Sequence, residues 1–374
     1  GDGIGMSSFV HLRVASGYSL QYGASHPSAL VARAADLGLD TLGLTDRDGL
    51  YGAIRFAKSC LATGIAPVIG VDLAVPVSVA GGSRGSARTP VRGGALRDAR
   101  HPRVVVTARS KAGWAALCRL VSAVHLTGER GSPVATLEQI TAAAASGDLV
   151  VQLGADSTLG LAAAAGHVDD AVAELDRWRQ ALPTGALMIA ATCHDVPGTG
   201  PGSELQAARM LALADDHGLP AVLTNAVRMA ERRQAMTTDV LDAARRLVPL
   251  DLRNVDRRNA EGYLKGTDAM DEVAARISAR AGRPSADRLL GQTRDLGLEC
   301  ALDPRADIGL GEIHLPELEV LGVGDSQVEA IRALRQRCEA GMGARYPGAG
   351  ADIEQRLTDE LAVIEHLGFA SYFL

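Results

Sequence analysis

Between residues 9 and about 248, short apolar runs rich in β-branched residues alternate with segments whose apolar positions recur at helical spacing. Val10–Val14, Asp40–Thr45, Pro67–Val75, Arg103–Ala108, Asp148–Leu153, Ala186–Ala191 and Pro220–Val227 read as strands. Ser28–Leu37, Leu50–Leu61, a helix capped by Ser110, Val168–Leu182, Ser203–His217 and Glu231–Leu247 read as helices. This alternation predicts an α/β fold with a mainly parallel sheet. About seven units suit a distorted parallel (β/α) barrel better than an open sheet, although the pattern alone leaves closure undecided.

Two places break the rhythm. Residues 78–102 are rich in Gly, Ser and Arg (Arg84, Arg88, Arg92, Arg97, Arg100) without an apolar period, and read as a mobile basic insertion. It is either a solvated loop or an arm for a phosphate backbone. From about 250 the strands stop and helices dominate: Asp268–Ala281, Ala286–Gly297, Asp325–Gly341 and Ile353–Leu367. The predicted organisation is a leader or tag remnant at 1–8, a barrel domain at 9–250 and a mainly helical part at 251–374. Phe369, Tyr372 and Phe373 crowd the last turn, and exposing them would forgo roughly a few kcal/mol of burial. A chain cut within a continuing core is therefore expected.

The bulk chemistry excludes several classes. No run of about 18 apolar residues is present, so no membrane span is expected. The start Gly-Asp-Gly-Ile-Gly-Met lacks the basic and apolar regions of a signal peptide. Five scattered cysteines (Cys60, Cys118, Cys193, Cys300, Cys338) form no CxxC pair, which points to a reducing cytoplasm rather than a disulfide framework. A net charge of −6 offers no global field for nucleic acid. The sequence does not mark which residues would bind nucleic acid.

Phe9-Val-His-Leu-Arg-Val-Ala-Ser-Gly-Tyr-Ser-Leu-Gln-Tyr-Gly-Ala24 and Thr45-Asp-Arg-Asp-Gly-Leu-Tyr-Gly52 resemble the opening of a PHP domain, the phosphoesterase-like module of bacterial C-family DNA polymerases. The closing segment, Arg356 to Leu374, resembles the approach to the palm of the DNA polymerase III alpha subunit, with Gly368 suited to a helix end. The resemblance covers nearly the whole chain and is weakest at 76–102 and 250–320.

Metal-bearing PHP domains collect His, Asp and Glu from strand ends to hold divalent ions, which generate hydroxide and clamp phosphate. By that resemblance, ligand positions here hold Arg13, Ala15, Tyr22, Arg47, Ala190, Ala226, Arg228 and Thr238. A guanidinium has no lone pair for a metal. Asp46, Asp72 and His194 remain as residual ligand positions, and neither a hydrolytic metal site nor a catalytic residue is expected. Arg13, Arg47 and Arg228 are expected in the former pocket, each pairing with Asp46 or Asp72. They serve either as charge compensation or as a phosphate-binding anion pocket. His11 and His26 read as a satisfied polar residue and a cap-region residue.

The resemblance implies part of a DNA-directed DNA polymerase whose barrel is inactive, braces the polymerase core and docks a proofreading exonuclease. It implies Mg²⁺ for the parent enzyme and none in this part. DNA, deoxynucleotides and a sliding clamp would be partners. The rivals are a metal-dependent PHP phosphoesterase or 3′–5′ exonuclease with a reduced site, which would need the missing ligands, and a non-catalytic anion-binding adaptor.

Overall fold

The computed structural model describes residues 8–76, 101–128, 131–255, 257–348 and 350–374, apart from the side chain at 252. The expected leader (1–8) and basic insertion (78–102), including its five arginines, fall outside the described residues except at their last positions.

The chain forms two compact units, Gly1–Leu310 and Gly311–Leu374. In the first the order is α1 (Pro27–Asp36), β1 (Thr41–Arg47), α2 (Ala53–Thr63), β2 (Ala66–Ala74), β3 (Arg103–Ala108), α3 (Lys111–Thr127), α4 (Leu137–Ala144), β4 (Leu149–Leu153), α5 (Thr158–Ala165), α6 (Val168–Ala181), β5 (Leu187–Ala191), α7 (Glu204–Asp216), β6 (Ala221–Leu223), α8 (Ala235–Arg246), α9 (Thr267–Arg280) and α10 (Asp287–Glu299). Local capping explains several starts. Ser110 accepts from the Gly113 N–H, Thr136 and Gln139 form a capping box, and His26 accepts from the Ser28 N–H ahead of Pro27.

Six strands form one sheet in chain order. β1–β2, β4–β5 and β5–β6 are parallel, as expected, but β3 runs antiparallel to both neighbours. Parallel neighbours need a crossover, usually a helix. Among the described residues no helix stands between β2 and β3.

Val10–Val14, expected as a strand, makes only isolated bridges, His11 to Leu42 and Val14 to Val227. The Thr45 hydroxyl accepts the Val14 N–H and so takes a place that a regular ladder would give to a carbonyl. The segment still links the two ends of the sheet. Gly43 and Thr45 donate to the His11 and Val14 carbonyls, while Ala15 and Val227 exchange bonds with Val227 and Arg13.

Lower down, α10 takes the role of a stave. Gln292 and Thr293 accept the backbone N–H groups of Ala221 and Leu223 on β6. Leu296 and Cys300 join Val10, Leu12, Val68, Val150, Met188, Ala190 and Val222 in the apolar interior. A Cβ on Gly297 would stand 2.6 Å from Val10 Cγ1, so the close approach of α10 requires glycine. The change of pattern at 250 therefore does not coincide with the division of the contacts, because α9 and α10 belong to the barrel unit. The larger core lies outside the ring, where strand residues such as Ile69, Val71, Val106 and Leu153 meet Phe56, Leu117, Leu159 and Leu211 of the helices.

The second unit contains α11 (Leu318–Leu321), α12 (Gln327–Arg345), α13 (Ala351–Leu367) and α14 (Ala370–Phe373) around Ala330, Ile331, Leu334, Leu361 and Ala370. Gly368 ends α13 in the left-handed region at φ 69°. Tyr372 and Phe373 are exposed. No helix among the described residues is long and apolar enough to cross a membrane.

Candidate functional site

Above the apolar interior the ring turns polar. Gln152 donates to the Thr107 hydroxyl, and Thr192 and Thr224 share a hydrogen bond of 2.8 Å. The next layer, where β1 and β2 end and the antiparallel β3 begins, carries Arg47, Asp72 and Arg103. Period-two alternation on β2 brings Gly70 and Asp72 inward while Ile69, Val71 and Leu73 face the helices.

Asp72 lies between two arginines. Arg13 approaches Oδ2 through Nη2 (2.6 Å) and Nε (3.2 Å), and Arg103 Nε reaches Oδ1 at 2.6 Å. Arg13 also grips Asp156 through two bonds of 2.7 Å. Arg103 continues to Asp48 at 2.8 Å. Burial opposes ionisation of Asp72, but Arg13, Arg103 and Arg47 together outweigh it and hold the carboxyl well below the usual range. Burial likewise opposes the charge on Arg13, and Asp156 and Asp72 overcome it.

Asp46 is held differently. It accepts the Ser16 N–H, the Ser16 hydroxyl and the Ser19 hydroxyl, with no arginine partner among the described residues. Burial pushes its carboxyl up against these bonds. Gly52 leaves room for it, since a Cβ there would stand 2.7 Å from Oδ2. His194 donates from Nε2 to the Asn225 carbonyl at 2.7 Å, and burial holds its pKa down. Asp46, Asp72 and His194 thus each serve protein partners. Among the described residues no group of three or more His, Cys, Asp or Glu is arranged to hold a metal ion.

A second cluster surrounds Tyr22. The guanidinium carbons of Arg47, Arg228 and Arg245 lie 3.4, 3.9 and 5.6 Å from its ring centroid. Arg228 makes a two-pronged pair with Asp242 (2.6 and 3.1 Å), which Arg245 shares at 2.7 Å. Arg47 makes no ion pair among the described residues, and its buried Nε has no hydrogen-bond partner. Burial lowers its pKa, and Arg103 and Arg245 add to that.

The expected pairings therefore hold for Arg13 alone. Arg228 turns to Asp242, which α8 supplies from fourteen residues downstream. Arg47 lies on Tyr22 instead, while both oxygens of Asp72 accept from Arg13 and Arg103. Ala15 is buried and donates to the Val227 carbonyl. Ala190 sits in the apolar interior rather than in the charged layer. Thr238 donates to the Ala235 carbonyl in α8. Ala226 adopts φ 41°, and Gln21, Asp48 and Asp195 also take positive φ in loops of this region.

Sequence reasoning missed Asp156, Arg103, Asp48, Asp242 and Arg245. Two carried a signal. Arg103 opens a mostly apolar strand, and Asp156 lies three residues past the end of another, at the end where barrel sites form.

Residues 11–192 match the PHP domain family model. The chain is 30% identical to an error-prone DNA polymerase of Nocardia farcinica (strain IFM 10152), over 98% of this chain and 33% of the relative. An error-prone DNA polymerase of Anaeromyxobacter sp. (strain K) is 28% identical over 98% of this chain and 35% of its own length. The chain thus spans about a third of the length of these relatives. A solved amidohydrolase from Chromobacterium violaceum covers 59% of this chain at 17% identity and a TM-score of 0.37, with 87% of that chain matched. Residues 11–192 thus resemble PHP domains, and nearly the full extent of the chain is similar to part of error-prone DNA polymerases.

Proposed function

We propose that this chain is the amino-terminal portion of a bacterial C-family DNA polymerase, an alpha subunit of the error-prone kind, and that its PHP barrel is a non-hydrolytic support. The observation that carries the reading is the homology to error-prone DNA polymerases across 98% of the chain. The parent enzyme would join deoxynucleotides to a primer on a DNA template in the cytoplasm, using Mg²⁺ held elsewhere in the protein. Residues 251–374 would lead into its palm, and the barrel would brace the polymerase core and dock a proofreading exonuclease. A sliding clamp would be a further partner.

The charged layer supports the non-hydrolytic part. Metal-assisted hydrolysis needs carboxylates and imidazoles with free lone pairs converging on one point. Here Asp72 and Asp156 are already paired with Arg13, and Asp72 is paired with Arg103 as well. An ion would have to displace buried guanidinium groups that cannot themselves ligate it. This donor set does not fit a two-ion centre.

Two measurements test the reading. Full-length protein incubated with a primed template, deoxynucleotides and Mg²⁺ should extend the primer, and failure to extend would overturn the polymerase assignment. This chain alone, given Mn²⁺ or Zn²⁺ and a 3′-labelled DNA strand, should release no label. Turnover that Asp46→Ala abolishes would show the barrel to be a hydrolase.

A further inference from the structure

A cavity of about 320 Å³ lies apart from the charged layer, between the loop that precedes α1 and the helix α8. Tyr18, Ala24, Ser25, His26, Thr237 and Leu241 line it, with Gly17 and Gly23 between them. Among the described residues no arginine or carboxylate does so. Two of the lining residues are aromatic: the rings of Tyr18 and His26 stand with centroids 6.0 Å apart, tilted by 53°. The loop is held in place around them. The Gly17 N–H donates to the Ser25 carbonyl, and the Ala24 N–H to the Arg228 carbonyl. The Ser25 hydroxyl donates to Gln234 and accepts the Ala230 N–H. Gly23 cannot carry a side chain, because a Cβ there would run into the Ser16 carbonyl oxygen. The cavity is therefore formed before any ligand arrives, which lowers the ordering cost of binding.

Its polar groups are few, and three are unspent. His26 Nδ1 accepts the Ser28 N–H, which leaves the imidazole proton on Nε2. That Nε2, the Tyr18 phenol and the Thr237 hydroxyl have no hydrogen-bond partner among the described residues. His26 and Thr237 are exposed, whereas Tyr18, Ala24 and Leu241 are half-buried. We propose that this cavity binds a nucleobase. A nucleobase is apolar on both faces and carries its donors and acceptors around its edge. It can lie against the Tyr18 ring and answer His26 Nε2, the Tyr18 phenol and the Thr237 hydroxyl with that edge. An aliphatic or phenyl anchor from a protein partner would fill the same space and displace water from all three groups without replacing its hydrogen bonds. The cavity contains neither the residual ligand positions Asp46, Asp72 and His194 nor their arginine partners. It does not depend on the polymerase assignment, which primer extension tests separately.

The base belongs either to a free nucleoside or to single-stranded DNA. Calorimetric titration of the 374-residue chain, with deoxyadenosine in one arm and a short oligodeoxyadenylate in the other, distinguishes them. Saturable binding in either arm, weakened at least tenfold by Tyr18→Ala, is the expected result, and the tighter arm identifies the source. Thr237→Trp, which fills the cavity from an exposed position on α8, should weaken binding to the same degree without disturbing the core. Tyr18→Phe keeps the stacking face and should bind more tightly than Tyr18→Ala. Phenylalanine amide offers a ring face without a polar edge, and should bind at least tenfold more weakly than deoxyadenosine. No saturable binding in either arm, or binding that Tyr18→Ala or Thr237→Trp leaves unchanged, would overturn the proposal. So would phenylalanine amide binding as tightly as deoxyadenosine, which would make the cavity a socket for a protein side chain.

Discussion

Arg13 and Asp72, 59 residues apart in the chain, meet through bonds of 2.6 and 3.2 Å at the mouth of the barrel, and both are buried. The pair links the irregular segment that joins the sheet's two ends to the carboxyl end of β2. Its neighbours extend it to Asp156 after β4 and to Arg103 on β3.

Removing one member leaves the others charged and buried. Asp72→Asn should cost about 3–5 kcal/mol of unfolding free energy, because Arg13 and Arg103 lose their shared anion. Replacing Arg13 and Asp72 together by Met and Leu should recover part of the loss. Guanidinium titrations read both, and a single-variant loss below about 1 kcal/mol would contradict the role given to the pair. The folded carboxyl has a lowered pKa. Its contribution is therefore complete above the unfolded value of 3.8 and lost as pH falls below it.

His11 supplies a separate acid response. Its Nε2 donates to the Lys265 carbonyl at 2.9 Å, its Nδ1 is buried without a partner, and burial lowers its pKa from 6.5 to about 4. The unfolded chain takes up this proton first, so stability is full above pH 6.5 and declines between 6.5 and about 4. The loss should approach roughly 3 kcal/mol at the lower end of the window. Urea titrations at pH 7 and 4.5 should show a smaller difference in His11→Gln than in the parent. Burial shifts His194 in the same direction, so some pH dependence should remain in the variant.

Asp46 acts as an acceptor for Ser16 and Ser19. Asp46→Ala would orphan those donors and should destabilise by about 1–3 kcal/mol. Asp46→Asn keeps an acceptor oxygen and removes a charge that burial opposes, so its cost should be distinctly smaller. Equal losses in the two variants, measured by denaturant midpoint, would contradict this account.

The bond from Leu223 N–H to the Thr293 hydroxyl, 2.8 Å long and buried, tests whether α10 belongs to the barrel. Thr293→Val keeps the shape and removes the acceptor. A loss of about 1–3 kcal/mol is expected. Amide exchange at Leu223 should also accelerate, whereas unchanged protection would place α10 outside the cooperative barrel.

The sequence alone determined the α/β class, most strand and helix positions, and the resemblance to a PHP domain. The first two rest on local periodicity and caps, the third on matched motifs: Arg103–Ala108 is a strand with the expected bounds, and Ser110 caps α3 as expected. It also marked Arg13 and Asp72 as residues of one pocket. It missed α4 and α5, and it placed the change of domain at 250 because helical periodicity does not say which surface a helix covers. Only tertiary structure turned α10 into a stave, since that depends on Thr293 reaching Leu223 across 70 residues. The same holds for the charges. Which carboxylate an arginine finds depends on loops converging in space, so Asp156 and Asp242 were invisible as partners, as was the placement of Arg47 over Tyr22.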